Sequence, residues 1–358
     1  MSLVWFAISV AFAAQEAPSL DQLLQSATDA FAKGRYSVSR AALDDAWKLA
    51  SELAPRDPKR YEVLKQLVAT LAATQEFAAA EAHLQLAINW RELAIGTDDP
   101  KLAGDFTELA MICRALKDFD RGLAVLERVR SMRLRHEGPD SPLLADDYSR
   151  TARLYLDKKD LERAADAFRS ALKIREKTVG ERHPTLLPDL DHLASTYLTL
   201  REYEKAETSY RRALVIRERT YGPAEAELLS TLDGLAYALF GQEKYDEAEP
   251  VYKRLLGLWE ATAGKEHPMM ATTLDKIAVF YREQEKWDEG NAAAGRANAV
   301  RAHFHASGLV QEASERLGLD EKEVARGLFR RALEVLEPGI AELEPLRKQI
   351  AGILEGFK

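Results

Sequence analysis

The chain has 358 residues, 46% hydrophobic and 30% charged, with 58 acidic against 50 basic side chains and a formal charge of -8. That balance belongs to a folded soluble protein, and with acids and bases mixed along the chain it excludes the dedicated basic face of a nucleic-acid binder. The single cysteine, Cys113, excludes an intramolecular disulfide and the paired-cysteine motifs of zinc ribbons and redox enzymes; within ELAMICRAL it reads as a small buried core residue.

The chain opens with MSLVWFAISVAFAAQEAP, an uncharged apolar run over residues 3–14 that is too short to span a bilayer and contains the small-x-small pattern Ala11-Phe12-Ala13. Residues 1–14 are therefore expected to be a signal peptide and the protein to be exported, periplasmic or secreted. The basic residue that usually precedes such a run is missing, and the alternative is a cytoplasmic chain. No later stretch approaches a transmembrane length, so no membrane insertion is expected after signal removal.

Residues 15–57 read as a first helical hairpin. LLQSATDAFAKGRYSVSRAALDDAW places Ala27, Tyr36, Leu43 and Ala46 where later units repeat them, one residue out of register. Residues 58–301 then form six units of 42. Gly96, Gly138, Gly180, Gly222 and Gly264 are 42 apart, as are Pro58, Pro100, Pro142 and Pro184; Ala226 breaks the proline series before Pro268 restores it. Within one unit Leu190, Leu193, Ala194 and Tyr197 recur at the spacing of one helical face, and Tyr203, Ala206, Tyr210, Ala213, Leu214 and Ile216 do so after a short polar break. Each unit is thus two helices with alternating small and large contacts. The arginine-rich stretch 121–136 reads as a solvated helix face.

The histidines of GERHPTLL (180–187) and GKEHPMM (264–270) look reactive at first sight. Asp57, Asp99 and Ser141 occupy the same place before the repeat proline as His183 and His267, so the position asks for a helix cap, with proline as first helical residue. Residues 302–358 are expected to be a C-terminal helical cap: one helix starting at Asp320 with Glu323 completing a capping box, and another over 341–357. No Gly-rich phosphate loop, GxSxG or HExxH occurs, and His303 and His305 have no third ligand at a recognisable spacing. No catalytic residue, metal site or cofactor is expected, and the chain is read as not an enzyme.

The unit LDHLASTYLTLREYEKAETSYRRALVIRERTYG (190–222) resembles the tetratricopeptide repeat, in particular the 42-residue form of kinesin light chains, and the similarity extends over about residues 20–300. The resemblance implies an all-α, right-handed superhelical solenoid whose first helices line a concave groove. It also implies a protein–protein interaction scaffold that binds a protein or peptide segment there. In that family one groove position on each first helix is often Asn, which hydrogen-bonds an extended peptide. This chain has Lys65, Thr107, Ser149, Asp191, Asp233 and Asp275 instead. The three aspartates only accept hydrogen bonds and carry charge, an acidic stripe suited to a basic segment. Arg150, Arg153, His192, Lys276 and Arg282 are expected nearby as neutralising groups. The candidate groove residues are Asp191, Asp233, Asp275, Ser149, Arg153, Leu198, Tyr237 and Phe240. The alternative is a structural module that self-assembles or bridges envelope proteins through its ends or convex face; the partner and the oligomeric state are left open.

Overall fold

The computed structural model describes residues 18–54, 56–338 and 340–357, so the expected signal peptide over 1–14 lies outside the described residues. Among them all regular structure is helical. The chain divides into two compact units, Met1–Thr178 and Val179–Lys358. In the first, α1 (Leu20–Ala32) pairs with α2 (Tyr36–Ser51), α3 (Pro58–Ala73) with α4 (Phe77–Ile95), α5 (Leu102–Ala115) with α6 (Phe119–His136), and α7 (Pro142–Asp157) is followed by α8 (Leu161–Val179). In the second, α9 (Leu187–Thr199) pairs with α10 (Tyr203–Tyr221), α11 (Leu229–Gly241) with α12 (Tyr245–Thr262), α13 (Pro268–Glu283) with α14 (Trp287–Gly318), and α15 (Lys322–Val335) with α16 (Glu344–Glu355). Helix α14 has 32 residues and runs uninterrupted across position 301, where the last repeat was expected to give way to the C-terminal cap.

The turn inside each hairpin is one structure used repeatedly. Gln75, Lys117, Lys159, Arg201, Glu243 and Glu285, spaced 42 apart, all have φ between 59 and 66°, and each stands two residues before a second helix. The next residue's N–H donates to a carbonyl five residues back, as in Glu76 to Leu71, Asp118 to Cys113, Glu202 to Tyr197 and Lys286 to Tyr281, at 2.8–3.0 Å. This is the Schellman bond, which satisfies a carbonyl that the helix end would otherwise leave open. The same turn joins α14 to α15 and corrects the expected capping box. Asp320 is its left-handed residue, with φ 62°, and Glu321 stands at the N-cap without a side-chain cap bond.

Between hairpins the repeat glycines have φ from 86 to 108°, a region that side-chain-bearing residues rarely enter. The residues before the repeat prolines accept a backbone N–H at four of five positions, but only Asp57 and His267 directly cap an α-helix: His183 caps a 3-10 turn, Pro184–Leu186, ahead of α9, and α5 starts at Leu102, past Asp99 and Pro100. Asp57 accepts from the Lys59 N–H and Asp99 from Lys101, both at 2.9 Å, and the Nδ1 atoms of His183 and His267 accept from Thr185 and Met269 at 3.3 Å. Ser141 is the exception, because its hydroxyl donates to the Glu137 carboxylate one turn upstream and leaves the start of α7 without a side-chain cap.

Helices of a pair approach closely at small residues. Ala110, Ala152, Ala194 and Ala236 of first helices and Ala80, Ala164, Ala206 and Ala248 of second helices are fully buried. At Gly122, which holds the same place on α6, an added Cβ would stand 3.3 Å from the Ala110 carbonyl oxygen. Leu84, Leu126, Phe168, Tyr210 and Tyr252, again 42 apart, supply the bulk. Helix α11 makes extra room. A Cβ on Gly234 would lie 2.2 Å from Cζ of Tyr210, whose buried phenol is pushed up to about 12 by desolvation and by the nearby Asp191 and Asp233.

Polar ties also cross from one hairpin to the next. Arg91 of α4 reaches Asp105 of α5 at 2.8 Å, Arg133 of α6 reaches Asp147 of α7 at 2.6 Å, and Arg217 of α10 donates to Thr231 of α11 at 2.7 Å. The arginine-rich stretch is therefore not simply a solvated face. Arg133 is 6% exposed, Arg121, Arg128 and Arg135 are paired with Glu81, Glu92 and Asp98, and Arg128 also lies over the Phe106 ring at 4.0 Å. Burial is the dominant influence on Asp147 and, against Arg133 and Arg150, pushes its carboxyl from 3.8 up to about 6. A buried pair of this kind is strongly destabilised by loss of one partner, by about 3–5 kcal/mol.

Two expectations follow. Gly→Ala inside a helix ordinarily adds up to about 1 kcal/mol of stability; Gly234→Ala should instead lower it by about 1–3 kcal/mol through the clash with Tyr210. Denaturant midpoints check this, and Tyr210→Leu should relieve most of the loss in the double variant. For Asp147 the folded state holds the proton more tightly than the unfolded state, so the carboxyl's contribution is complete below about pH 4 and is lost as pH rises through about 6. Urea titrations at several pH values should show wild type losing stability relative to Asp147→Asn across that window, by up to roughly 3 kcal/mol.

Candidate functional site

In the second unit, α9, α11 and α13 each present a face with side chains at i, i+4 and i+7, which fall on one side of a helix. These are Asp191, Ser195 and Leu198 on α9, Asp233, Tyr237 and Phe240 on α11, and Asp275, Val279 and Arg282 on α13. The middle row is open, with Tyr237 41% and Val279 47% exposed, while Leu198 and Phe240 are half-buried. Tyr237 is held by its neighbours. Its ring stands edge-on to Tyr203 and tilted to Phe240, both at 6.4 Å, and Phe240 packs in turn on Phe280 at 6.0 Å and Tyr245 at 6.2 Å. Gly241 permits the first of these contacts, since a Cβ there would fall 2.6 Å from the Tyr203 ring.

The aspartate row is not a bare acidic stripe. Both oxygens of Asp191 accept from Arg217, both oxygens of Asp233 lie within 2.9 Å of the Lys276 ammonium, and Asp275 pairs with Arg301. Of the five cations expected to neutralise the stripe, Lys276 does so. Arg282 instead donates to Asn291, and Arg150 lies 3.3 Å from Asp147. Arg217 and Arg301, the other two counterions, come from second helices and were missed in the sequence. A signal existed: Arg91, Arg133, Arg175, Arg217 and Arg301 share one repeat position, with Trp259 replacing the fifth in the series, and each follows the groove position of its own unit by 26 residues. Trp259 instead stacks on His267, with ring centroids 5.0 Å apart.

Ser149 and Arg153 lie in the first unit. Ser149 corresponds to the aspartates but is 5% exposed, and its hydroxyl donates to the Ala145 carbonyl and accepts from Arg175 at 2.9 Å. It is a core tie rather than an open groove residue. Arg153, half-buried, holds the place that Tyr237 holds in the second unit. In the same row Thr107 donates to the Ala103 carbonyl, and Lys65 is paired with Asp105 and Glu108. His303 and His305 do not converge: two residues apart on α14 they point about 200° from one another. His303 is 3.2 Å from Glu266, and His305 is exposed.

A tetratricopeptide-repeat family model matches residues 106–177, 185–256 and 227–297, together just over half the chain. No curated protein sequence matches. Among solved structures, a kinesin-light-chain-type protein of nearly identical TPR-like repeats from Podosopora anserina is 19% identical over 58% of this chain and 99% of its own, with a TM-score of 0.50. BtubC of P. vanneervenii is 22% identical over 67% of this chain and 92% of its own, with a TM-score of 0.49. YrrB, described as a TPR protein with an unusual peptide-binding site, is 16% identical over 60% and 92%, with a TM-score of 0.44. With its 42-residue helical hairpins, their repeated turns and the matched repeats, the chain belongs to the tetratricopeptide-repeat family of protein–protein interaction scaffolds.

Proposed function

We propose that the first-helix face of the second unit binds a segment of another protein, chiefly through apolar and aromatic contact. The observation that carries this reading is Tyr237, a large side chain left 41% exposed although its ring is fixed by Tyr203 and Phe240, beside Leu198 and the exposed Val279. A pre-positioned aromatic ring loses little entropy on binding and is a frequent centre of interface energy. A basic partner, which the aspartate row invites, would have to displace Arg217, Lys276 and Arg301 from their carboxylates. That exchange of one ion pair for another yields little net affinity. The export reading supplies the setting in which the partner is sought, the periplasm or the medium.

Selection of peptides on the full chain from a random display library provides the ligand. Tyr237→Ala and Phe240→Ala should each weaken the selected peptide about 10-fold or more, about 1.4 kcal/mol, with helicity by circular dichroism unchanged. Raising the salt should alter that affinity only slightly. A steep loss with salt, together with a loss on Asp191→Asn, Asp233→Asn and Asp275→Asn combined, would instead establish the acidic row as the binding element. Export is checked separately by N-terminal sequencing of the chain recovered from the envelope fraction, which should begin at or near residue 15 rather than at Met1.

A further inference from the structure

At the passages between hairpins, the residue two before the repeat proline meets a side chain near the end of the next second helix, 37 residues further on. The pairs are Asp98 with Arg135, Asp140 with Lys177 and Glu266 with His303, an acid on the loop and a base on the helix each time. Arg56 with Leu93 and Ala224 with Ala261 cannot form such a pair, and at the remaining place both members are cations, Arg182 and Arg219. These two arginines line one cleft of about 740 Å³ in the second unit, together with Glu181, His183 and Thr220. Both are exposed, and among the described residues neither takes part in a hydrogen bond or an ion pair. Arg128, Arg211 and Arg254 on the second helices are instead held by Glu92, Glu207 and Glu218.

We infer that Arg182 and Arg219 receive a carboxylate from outside the chain, the side chain of an aspartate or glutamate on a bound protein, in the place where the sister units supply their own acid. Geometry is the first ground. The sister pairs show that side chains from these two positions reach a common point, so one carboxylate there can meet both guanidiniums, each a planar fork of donors matched to two oxygens. His183 adds a third donor at the cleft. Its Nδ1 accepts from the Thr185 N–H, which leaves the hydrogen of the neutral ring on Nε2. Charge is the second ground. Two arginines and Glu181 leave the cleft one positive charge, which a single carboxylate cancels, whereas a phosphate monoester with about two negative charges would overshoot. The chain as a whole carries -8, so it repels acidic segments except where cations stand unpaired, and the cleft therefore orients an acidic partner more than it adds affinity. The cleft lies between the loop before α9 and the last turn of α10. It shares no residue with the first-helix face and does not rest on the reading of that face.

Fluorescein-labelled hexaglutamate is the probe, titrated with the full chain by fluorescence anisotropy at low ionic strength, about 20 mM. The chain should bind it and should not bind hexaglutamine. Arg182→Asp, which restores the acid that the sister units carry, should weaken binding about 10-fold or more without lowering the urea midpoint, and Arg219→Ala should weaken it as well. Arg330→Asp makes the same charge change at an exposed position on α15 and should leave binding unchanged. Tyr237→Ala should also leave it unchanged, so failure of this site and failure of the aromatic face are read separately. The proposal is overturned by a chain that does not bind hexaglutamate, by binding that survives Arg182→Asp, or by an equal loss with Arg330→Asp. A phosphoserine peptide that binds at least 10-fold more tightly than hexaglutamate and depends on Arg182 also overturns it and assigns the cleft to phosphate.

Discussion

The close approach of two helix backbones at small residues is the constraint on which the rest of this molecule depends. A helical hairpin of about 35 residues cannot bury its own apolar stripe, and its two helices come together only where neither carries side-chain bulk at the crossing. Alanine or glycine therefore stands at that crossing unit after unit, and an added Cβ would stand 3.3 Å from the Ala110 carbonyl oxygen at Gly122 and 3.1 Å from that of Ala278 at Gly290. Once the helices are that close, the turn between them is forced. The chain must reverse within three residues, and it does so through a left-handed residue and a bond five residues back, whichever side chain is present. Lysine, glutamate and aspartate accept a conformation that costs on the order of 1 kcal/mol because the packed hairpin over-determines it.

A second consequence is that polar groups enter the junctions between hairpins. Stacked hairpins leave the inner ends of their second helices against the next first helix, and an arginine there spans the gap to an acid or hydroxyl. Its guanidinium lies against the acid or hydroxyl oxygen, although Arg133 Nε and Asp147 Oδ2, 2.6 Å apart, form no well-aligned hydrogen bond. Arg217 also reaches back to the groove row of its own unit, donating to Asp191 as well as to Thr231. One side chain thus ties the stack together and neutralises a carboxylate on the first-helix face. With those aspartates paired, the proposed binding face rests on the aromatic row, where Gly234 and Gly241 admit the rings of Tyr210 and Tyr203 against α11.

Much of this was legible in the residue order. The 42-residue spacing of glycine and proline marks where each hairpin begins, and helical spacing of apolar residues marks both helices, since those are local properties of the backbone. His183 and His267 could be read as caps because Asp57 and Asp99 stand at the same place. Where local reading failed, a competing partner lay nearby in space. Ser141 turned to Glu137 instead of its own helix end, and Asp320 was taken into a hairpin turn that its cap-like sequence did not announce. Tyr237 and Phe240 were identifiable as groove candidates by register alone, but Ser149, in equivalent register to the aspartates, is buried.

The sequence by itself determined the repeat length, the helical class and which residues share a helix face, because each follows from spacing along one chain and from the conformational limits of glycine and proline. Tertiary structure alone decided which charges remain free. Asp191 meets Arg217 from 26 residues away and Asp233 meets Lys276 from 43, distances over which no local rule pairs one cation with one acid. It also decided that Leu86 and Leu93 of α4 face solvent uncovered, since exposure depends on what packs against a helix and not on what the helix contains.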